Sequence, residues 1–284
     1  MAEPIHLKNG SLGALVHNGQ LVSFSKDGIE CMHGGGKPAH LQSESDKKGW
    51  NNSEIVMFPV VGKPKGYKVI VNGVEYAQDQ HGISRIIPYH VIDRDTGNHS
   101  KILLRQEYAG RTLLDNPKYK KGAPNPQKVS WPFSFILDKE IELQNYLASA
   151  TFALTNKSNK YMPYDIGWHL AVKSSGNPKK VKLKTNKGEY SLDDVINESA
   201  RVNGIRLEGV NEVIYVDEAT GREIHLKSQN FGNILLWSPE ANMFCIEPVT
   251  KLPPLEAAQN YVFSQGLTPS ERKTYRVTIQ PFNS

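Results

Sequence analysis

The N-terminal quarter of the chain is a succession of short apolar segments separated by turn dipeptides. Asn9-Gly10, Asn18-Gly19 and Asp27-Gly28 alternate with apolar segments such as residues 12–16 and 21–25. Dipeptides of this kind supply the positive φ angles that tight β-hairpins require. Because the chain returns on itself so often, its strands must pair with their sequence neighbours in antiparallel fashion. This quarter therefore predicts an antiparallel β protein.

The same signal continues to the C-terminus. Further candidate strands lie at residues 55–61, 67–71, 74–76, 89–93, 101–108, 133–137, 141–143, 148–154, 161–172, 213–216, 223–226, 233–237, 243–247 and 274–280. A capping box beginning at Ser191 predicts one short helix, and residues 115–130 predict a long surface loop rich in Pro, Lys and Asn. No strand–helix alternation occurs, which excludes a parallel α/β fold. The sequence predicts one all-β domain of two large antiparallel sheets packed face to face.

Charge and composition exclude several classes of partner. The formal net charge of +5 is spread along the chain. In the densest basic run, Lys180, Lys182 and Lys184 alternate with Val181 and Leu183, a pattern typical of a solvated strand face. No recognition helix or alternation of basic and aromatic residues is present, so no nucleic-acid partner is expected.

No membrane partner is expected either, because no apolar run approaches the roughly 18 residues of a membrane span. The chain starts without an apolar signal region, and its two cysteines, Cys31 and Cys245, are typical of a reduced protein. These features predict a cytoplasmic location.

Residues 161–172 carry the first candidate functional group. The stretch alternates as a strand does, with large apolar side chains on one face. These are Ile166, Trp168, Leu170 and Val172. On the other face His169 stands between Gly167 and Ala171, which leaves room above a single imidazole, as the floor of a pocket requires. The alternative is a strand with one half-exposed histidine.

A second strand repeats this arrangement. Phe244 and Ile246 face the core, whereas Cys245 and Glu247 face the other way. A glutamate at the end of an apolar strand can act as a general base if it is partly desolvated; the alternative is an edge-facing charged residue. Trp237, just before this strand, offers a flat apolar wall suited to the C–H face of a sugar, although tryptophan is commonly part of the core.

The glycine-rich segment Gly34-Gly35-Gly36 lacks the Lys-Ser/Thr ending of a phosphate-binding loop. Cys31, His33 and His40 surround it and could be considered as soft-metal ligands, but their spacing matches no familiar zinc pattern. A surface loop is the favoured interpretation. His81, which precedes Gly82 at a change from strand to loop, is a further candidate, with a plain surface histidine as the alternative.

Four motifs occur in one order along the chain. They are Phe58-Pro59-Val60-Val61-Gly62, Gln80-His81-Gly82-Ile83-Ser84-Arg85, Gly167-Trp168-His169 and Cys245-Ile246-Glu247-Pro248. Their order and spacing, over roughly residues 5–280, resemble the aldose 1-epimerase (galactose mutarotase-like) superfamily, and within it the LacX-type and hexose-6-phosphate epimerase branch. The resemblance implies a single domain over residues 1–284 with an all-β supersandwich fold. It also implies a sugar as substrate, no metal or cofactor, and a monomer or homodimer.

The resemblance assigns catalytic roles as well. His169 corresponds to the histidine that protonates the ring oxygen, Glu247 to the base that deprotonates the anomeric hydroxyl, and His81 to the histidine that binds and polarises the ring oxygen. Opening a hemiacetal needs an acid and a base, which we expect on opposite sides of the sugar, each contributing about 10²–10⁴-fold. Rotation about C1–C2 then allows the ring to close as either anomer.

The sequence departs from the family at two sugar-binding positions. The family's arginine after the first glycine motif is replaced by Lys63-Pro64-Lys65, and the stretch from Glu208 to Glu212 carries no aspartate. We therefore expect Arg85, Trp237 and Lys63 to bind the substrate. The substrate is a free aldohexose or a hexose 6-phosphate, since Arg85 and the lysines could hold a phosphate. Two further alternatives are a non-catalytic sugar-binding protein and a domain of a polysaccharide lyase or glycosidase.

Overall fold

A computed structural model of the chain describes residues 3–95, 100–253 and 260–283. These residues form 24 strands, numbered β1–β24 in chain order, and one α-helix, α1 (Leu192–Val202). Short 3₁₀ helices lie at Ala39–Leu41, Lys65–Tyr67 and Pro178–Lys180.

The largest sheet has nine antiparallel strands. Their spatial order is β17 (Gly188–Ser191), β16 (Val181–Thr185), β19 (Glu212–Asp217), β20 (Arg222–Gln229), β24 (Arg272–Asn283), β13 (Leu147–Asn156), β12 (Phe135–Gln144), β9 (Lys101–Tyr108) and β8 (His90–Asp95). A five-stranded sheet faces it, in the order β18 (Ile205–Glu208), β21 (Asn233–Trp237), β22 (Met243–Val249), β15 (Gly167–Lys173) and β5 (Glu54–Met57).

Smaller sheets complete the described part of the fold. One has four strands, β1 (Ile5–Asn9), β2 (Leu12–His17), β3 (Gln20–Lys26) and β4 (Ile29–Glu30). Three have two strands each: β6 (Lys68–Val71) with β7 (Val74–Ala77), β10 (Leu114–Asp115) with β11 (Lys128–Val129), and β14 (Met162–Tyr164) with β23 (Gln265–Leu267).

The two large sheets pack face to face around one core. Phe152 of β13 contacts Trp168 of β15 with ring centroids 5.5 Å apart, and Tyr215 of β19 contacts Phe244 of β22 at 4.9 Å. All four rings belong to the same buried cluster. The predicted all-β sandwich of antiparallel sheets is thus confirmed.

The predicted local signals are confirmed at several points. The hairpin between β2 and β3 turns at Asn18 (φ 49°) and Gly19 (φ 76°), in the positive-φ conformation that the dipeptide predicted. Ser191 Oγ accepts from the Asp194 amide at 3.1 Å and the Asp194 carboxylate accepts from the Ser191 amide at 2.8 Å, which completes the capping box of α1. On β16, the Lys182 ammonium lies 2.7 Å from Glu218 Oε1 at the surface, as expected for a solvated strand face.

The predicted continuous strand over residues 161–172 is wrong. It is two strands, β14 and β15, that belong to different sheets. Between them the buried carboxylate of Asp165 accepts hydrogen bonds from Thr250 Oγ1 at 3.0 Å and Tyr261 OH at 3.1 Å. A buried carboxylate needs such donors, so the chain leaves one sheet at Asp165 and enters the other.

Within residues 3–95, 100–253 and 260–283, no helix has the length and apolar character needed to cross a membrane. The same residues contain no cluster of three or more histidine, cysteine, aspartate or glutamate side chains that could hold a metal ion.

Candidate active site

His169 and Glu247 lie side by side on neighbouring strands. The antiparallel register of β15 and β22 pairs Gly167 with Val249 and Leu170 with Ile246, which aligns His169 with Glu247 between them. Their side chains leave the same face of the five-stranded sheet, and His169 Nε2 lies 3.3 Å from Glu247 Oε1. Only 6% of His169 and 1% of Glu247 is exposed. The sheet therefore joins two groups that no local spacing rule connects.

This contact corrects one feature of the expected site. The two functional groups are adjacent, so a sugar cannot lie between them as an acid and a base on opposite sides would require. Both must reach a bound ligand from the same face of the sheet.

His81 is presented by a strained turn. Its φ is 67°, and its amide donates to the Gly62 carbonyl at 2.9 Å. The amide of Gly62 in turn donates to His81 Nδ1 at 3.3 Å. Because Nδ1 accepts this bond, the neutral ring carries its proton on Nε2. Gly82 (φ 71°) follows, where a Cβ would lie 2.2 Å from the Phe58 carbonyl oxygen, so only glycine fits.

Aromatic rings enclose the His169 imidazole. The indole of Trp50 stacks on it with ring centroids 4.2 Å apart and an interplanar angle of 28°. His81 and Trp237 meet it edge-on, at 5.5 Å and 5.6 Å. The predicted wall, Trp237, therefore borders the site, and the structure brings His81, His169 and Glu247 together.

The site favours uncharged forms of its titratable groups. Burial, reinforced by the positive charges of Arg85 and Lys118, lowers the pKa of His169 to about 3. Burial raises the pKa of Glu247 well above its ordinary value, because an ionised carboxylate loses hydration there. Burial and the neighbouring His169 lower the pKa of His81 well below its ordinary value. Burial therefore disfavours the charged form of both members of the His169–Glu247 pair.

Two atoms of this pair lack hydrogen-bond partners. Among the described residues, neither His169 Nδ1 nor Glu247 Oε2 has one, although both atoms are buried. Buried polar atoms are nearly always paired, and each exception needs a reason. The described residues thus leave the hydrogen-bonding capacity of one nitrogen and one oxygen of the pair unused.

Positive charge lies at one side of the site. Arg85 is half-buried, and its Nη1 lies 3.5 Å from the Gln80 carbonyl oxygen. The charges of both Arg85 and Lys118 act on His169 and His81, and Asp79 partly offsets them. The predicted Arg85 is therefore close to the histidines. The ammonium of Lys63, the other expected basic ligand, lies 4.6 Å from the centre of the Tyr67 ring.

The expected open floor around His169 is wrong. A Cβ at Gly167 would lie 2.6 Å from Met57 Cε and 2.8 Å from Val249 Cγ1, so neighbouring strands fill that space. Ala171 packs with Met243 and Cys245 beneath Trp50 and Trp237. The small residues make room for side chains of the protein itself.

Sequence reasoning missed Trp50 and Lys118. Trp50 lies in an irregular segment before β5, and Lys118 lies in the loop between β10 and β11 that was predicted as plain surface. Neither has a periodic context that would have identified it. The glycine-rich segment was also misjudged, because His33, Gly34 and Gly35 are buried and not a surface loop.

The chain matches no protein-family profile and no curated protein sequence. It does resemble solved structures. A galactose mutarotase-like protein from Lactobacillus casei ATCC 334 aligns with a TM-score of 0.79 at 18% identity, covering 99% of this chain and 100% of the other. A galactose mutarotase-like protein from Clostridium acetobutylicum aligns with a TM-score of 0.72 at 14% identity, covering 99% of this chain and 95% of the other. A galactose 1-epimerase from Lactobacillus acidophilus NCFM aligns with a TM-score of 0.64 at 12% identity, covering 99% of this chain and 94% of the other. At these identities the likeness shows the fold, which is galactose mutarotase-like, as the motifs predicted.

Proposed function

We propose that the protein is an aldose 1-epimerase that interconverts the α and β anomers of an aldohexose. The observation that carries the proposal is the buried contact of 3.3 Å between His169 Nε2 and Glu247 Oε1, with His81 beside it. An acid–base pair of this kind suits a reaction that moves one proton onto an oxygen and another off its neighbour. A protein that only binds sugar has no need of it.

The His169–Glu247 pair alone can carry out both proton transfers that ring opening requires. In the reactive form the proton shared between the two groups lies on the imidazole, so Glu247 is a carboxylate and His169 an imidazolium. The carboxylate takes the proton of the O1 hydroxyl while the imidazolium delivers a proton to O5. The C1–O5 bond breaks and C1=O1 forms. The pair is left as a carboxylic acid and a neutral imidazole, the form that burial of both groups favours.

Ring closure reverses these transfers. After rotation about C1–C2, O5 attacks the other face of C1, the carboxylic acid returns its proton to O1, and the imidazole recovers the proton of O5. The unpartnered atoms His169 Nδ1 and Glu247 Oε2 are the ones left free for O5 and O1. The ring oxygen receives further polarisation from the Nε2–H of His81. No electron transfer occurs, and no external proton carrier is required.

The test is anomer exchange measured by saturation-transfer NMR or polarimetry on α-glucose, α-galactose and their 6-phosphates. We expect the protein to accelerate exchange of at least one sugar, and His169→Ala to lower kcat/KM by about 10²-fold or more. The exposed histidine in His40→Ala serves as the matched control and should leave the rate unchanged. Sugar binding without acceleration, or wild-type exchange in a folded His169→Ala variant, would overturn the proposal.

A further inference from the structure

The buried glycine-rich segment has a partner that its sequence did not reveal. His33 is fully buried, and its Nε2–H donates to the carbonyl oxygen of Trp50 at 2.7 Å. A Cβ at Gly35 would lie 2.1 Å from that same oxygen and 3.0 Å from the Asn52 amide nitrogen. The backbone of residues 33–35 therefore packs directly against the backbone around Trp50, the residue whose indole stacks on His169.

Further bonds fix the segment that carries Trp50 at both ends. The Gly36 amide donates to Ser53 Oγ at 3.0 Å, just after Trp50. Before it, the buried Asp46 carboxylate accepts from the amides of Gly34 and Ser43, each at 3.0 Å. The segment is therefore anchored both before and after Trp50, although it belongs to neither a helix nor a strand.

His33 is tied to the catalytic strand as well. Its amide donates to the carbonyl oxygen of Ala171 at 3.0 Å, two residues beyond His169 on β15. The backbone of His33 thus follows the strand that bears His169, while its ring holds the residue that covers His169. These two hydrogen bonds connect the backbone of Trp50 to the strand that bears the His169 imidazole.

Trp50 covers one face of the His169 imidazole. Its indole lies over the imidazole of His169 and packs against two apolar clusters on either side of it. The clusters are Ile55, Met57, Val61 and Val249, and Ala171, Met243 and Cys245. A ring stacked in this manner prevents the imidazole from turning away from Glu247 and keeps water from that face.

We infer that Trp50 is a positioning residue for the proposed acid–base pair, because its indole fixes the orientation of the His169 ring. His33 in turn fixes the position of Trp50 by donating a hydrogen bond to the Trp50 carbonyl oxygen. The inference rests on the proposed function for its kinetic consequences only. The stacking and its dependence on His33 are properties of the protein that can be measured without a substrate.

The first measurement is NMR of protein labelled with ¹³C and ¹⁵N in histidine. The indole of Trp50 should shift the ring C–H resonances of His169 upfield. We expect Trp50→Ala and His33→Ala to move these resonances, and Trp50→Phe to restore much of the shift. His33→Gln should restore it too, because the glutamine amide can donate to the Trp50 carbonyl in place of Nε2–H. The exposed His40→Gln is the matched control.

The second measurement is kinetic. Loss of orientation should lower kcat by about 10–100-fold in Trp50→Ala with little change in KM, because displacement of a catalytic group reduces rate more than binding. His33→Ala should act in the same direction and His33→Gln should recover most of the rate. Trp50 is only half-buried, so the alanine variant is expected to fold.

The outcomes separate the two proposals. Wild-type protein that accelerates no anomer exchange contradicts the proposed function, while the resonance shifts still test the positioning. Unmoved His169 resonances in folded Trp50→Ala or His33→Ala would overturn the inference. So would a variant that loses the shift but keeps the wild-type kcat, since the contact would then have no effect on the pair.

Discussion

Replacing Glu247 by glutamine should make the protein inactive and more stable at the same time. Glu247 is buried, one of its oxygens has no partner in the described structure, and the other faces a neutral imidazole. Glutamine has nearly the same shape but never ionises. Glu247→Gln therefore removes the base and also removes the unfavourable titration of a buried carboxyl.

The magnitude follows from proton linkage. Burial raises the folded-state pKa of Glu247 above its unfolded value. Such a group stabilises the fold below the unfolded pKa, and this stabilisation is lost as the pH rises towards the folded pKa, at about 1.4 kcal/mol per pH unit. The variant has no such loss. We expect it to match the wild type near pH 4 and to exceed it increasingly at higher pH, by about 1.4 kcal/mol for each pH unit up to the folded-state pKa of Glu247.

Two assays are needed on the same preparations. Thermal unfolding followed by circular dichroism at several pH values should show the stability difference, with roughly 2–4 °C in Tm for each kcal/mol. Anomer exchange should fall by about 10²–10⁴-fold. Glu54→Gln is the matched control. Glu54 is equally buried, but it accepts from Trp168 Nε1 and the Leu21 amide and pairs with the buried Lys139, so this variant should be destabilised by about 3–5 kcal/mol.

Three results would refute this reasoning. A Glu247→Gln variant as destabilised as Glu54→Gln would mean that Glu247 is a structural carboxylate. A stability difference that does not grow with pH would mean that its pKa is not raised by burial. Wild-type exchange rates in the variant would remove Glu247 from the mechanism.

Three further predictions concern the rest of the site. Because His169 and Glu247 titrate as one unit, kcat/KM should be bell-shaped in pH, and an alkaline limb that persists in a His169→Gln variant with residual activity would point to another acid. His81→Ala should lower kcat/KM by about tenfold without moving either limb. Arg85→Ala should raise KM for free hexoses by about tenfold, the value of a charged hydrogen bond to a hydroxyl; selective loss of 6-phosphate exchange, with wild-type KM rising with salt, would instead identify Arg85 as a phosphate ligand.

Where the sequence predicted structure correctly, the cause is local. The Asn18-Gly19 turn and the Ser191 capping box depend on residues within four positions of one another, and both form as expected. The alternation in β22, with Phe244 and Ile246 in the main core and Cys245 in a separate cluster, also follows from strand geometry alone.

Where prediction from the sequence failed, the cause is a contact between residues that lie far apart in the chain. The strand over residues 161–172 breaks because Asp165 binds Thr250 and Tyr261, about 85 and 96 residues away. Gly167 is filled by Met57 and Val249 from neighbouring strands, and Trp50 reaches His169 through an irregular segment held by His33. No periodic pattern or motif spacing in the sequence predicts any of these contacts.

Two buried glutamates on the five-stranded sheet show how a structural carboxylate differs from a functional one. Glu54 accepts from the Leu21 amide and from Trp168 Nε1, each at 2.8 Å, and pairs with the buried Lys139 of β12, which ties the two sheets together. Glu247 lies on the opposite face, and among residues 3–95, 100–253 and 260–283 its one polar side-chain partner is the His169 imidazole.

The strand β15 serves both arrangements, since Trp168 points to Glu54 and the next residue, His169, points to Glu247. The complete set of donors on one face holds β15 in place. On the other face, the described residues supply no hydrogen-bond donor to Glu247 Oε2, as the proposed proton transfer requires. Sequence alternation alone predicts the two faces, but only the partners of each carboxylate distinguish the one that stabilises the sandwich from the one that we propose as the base.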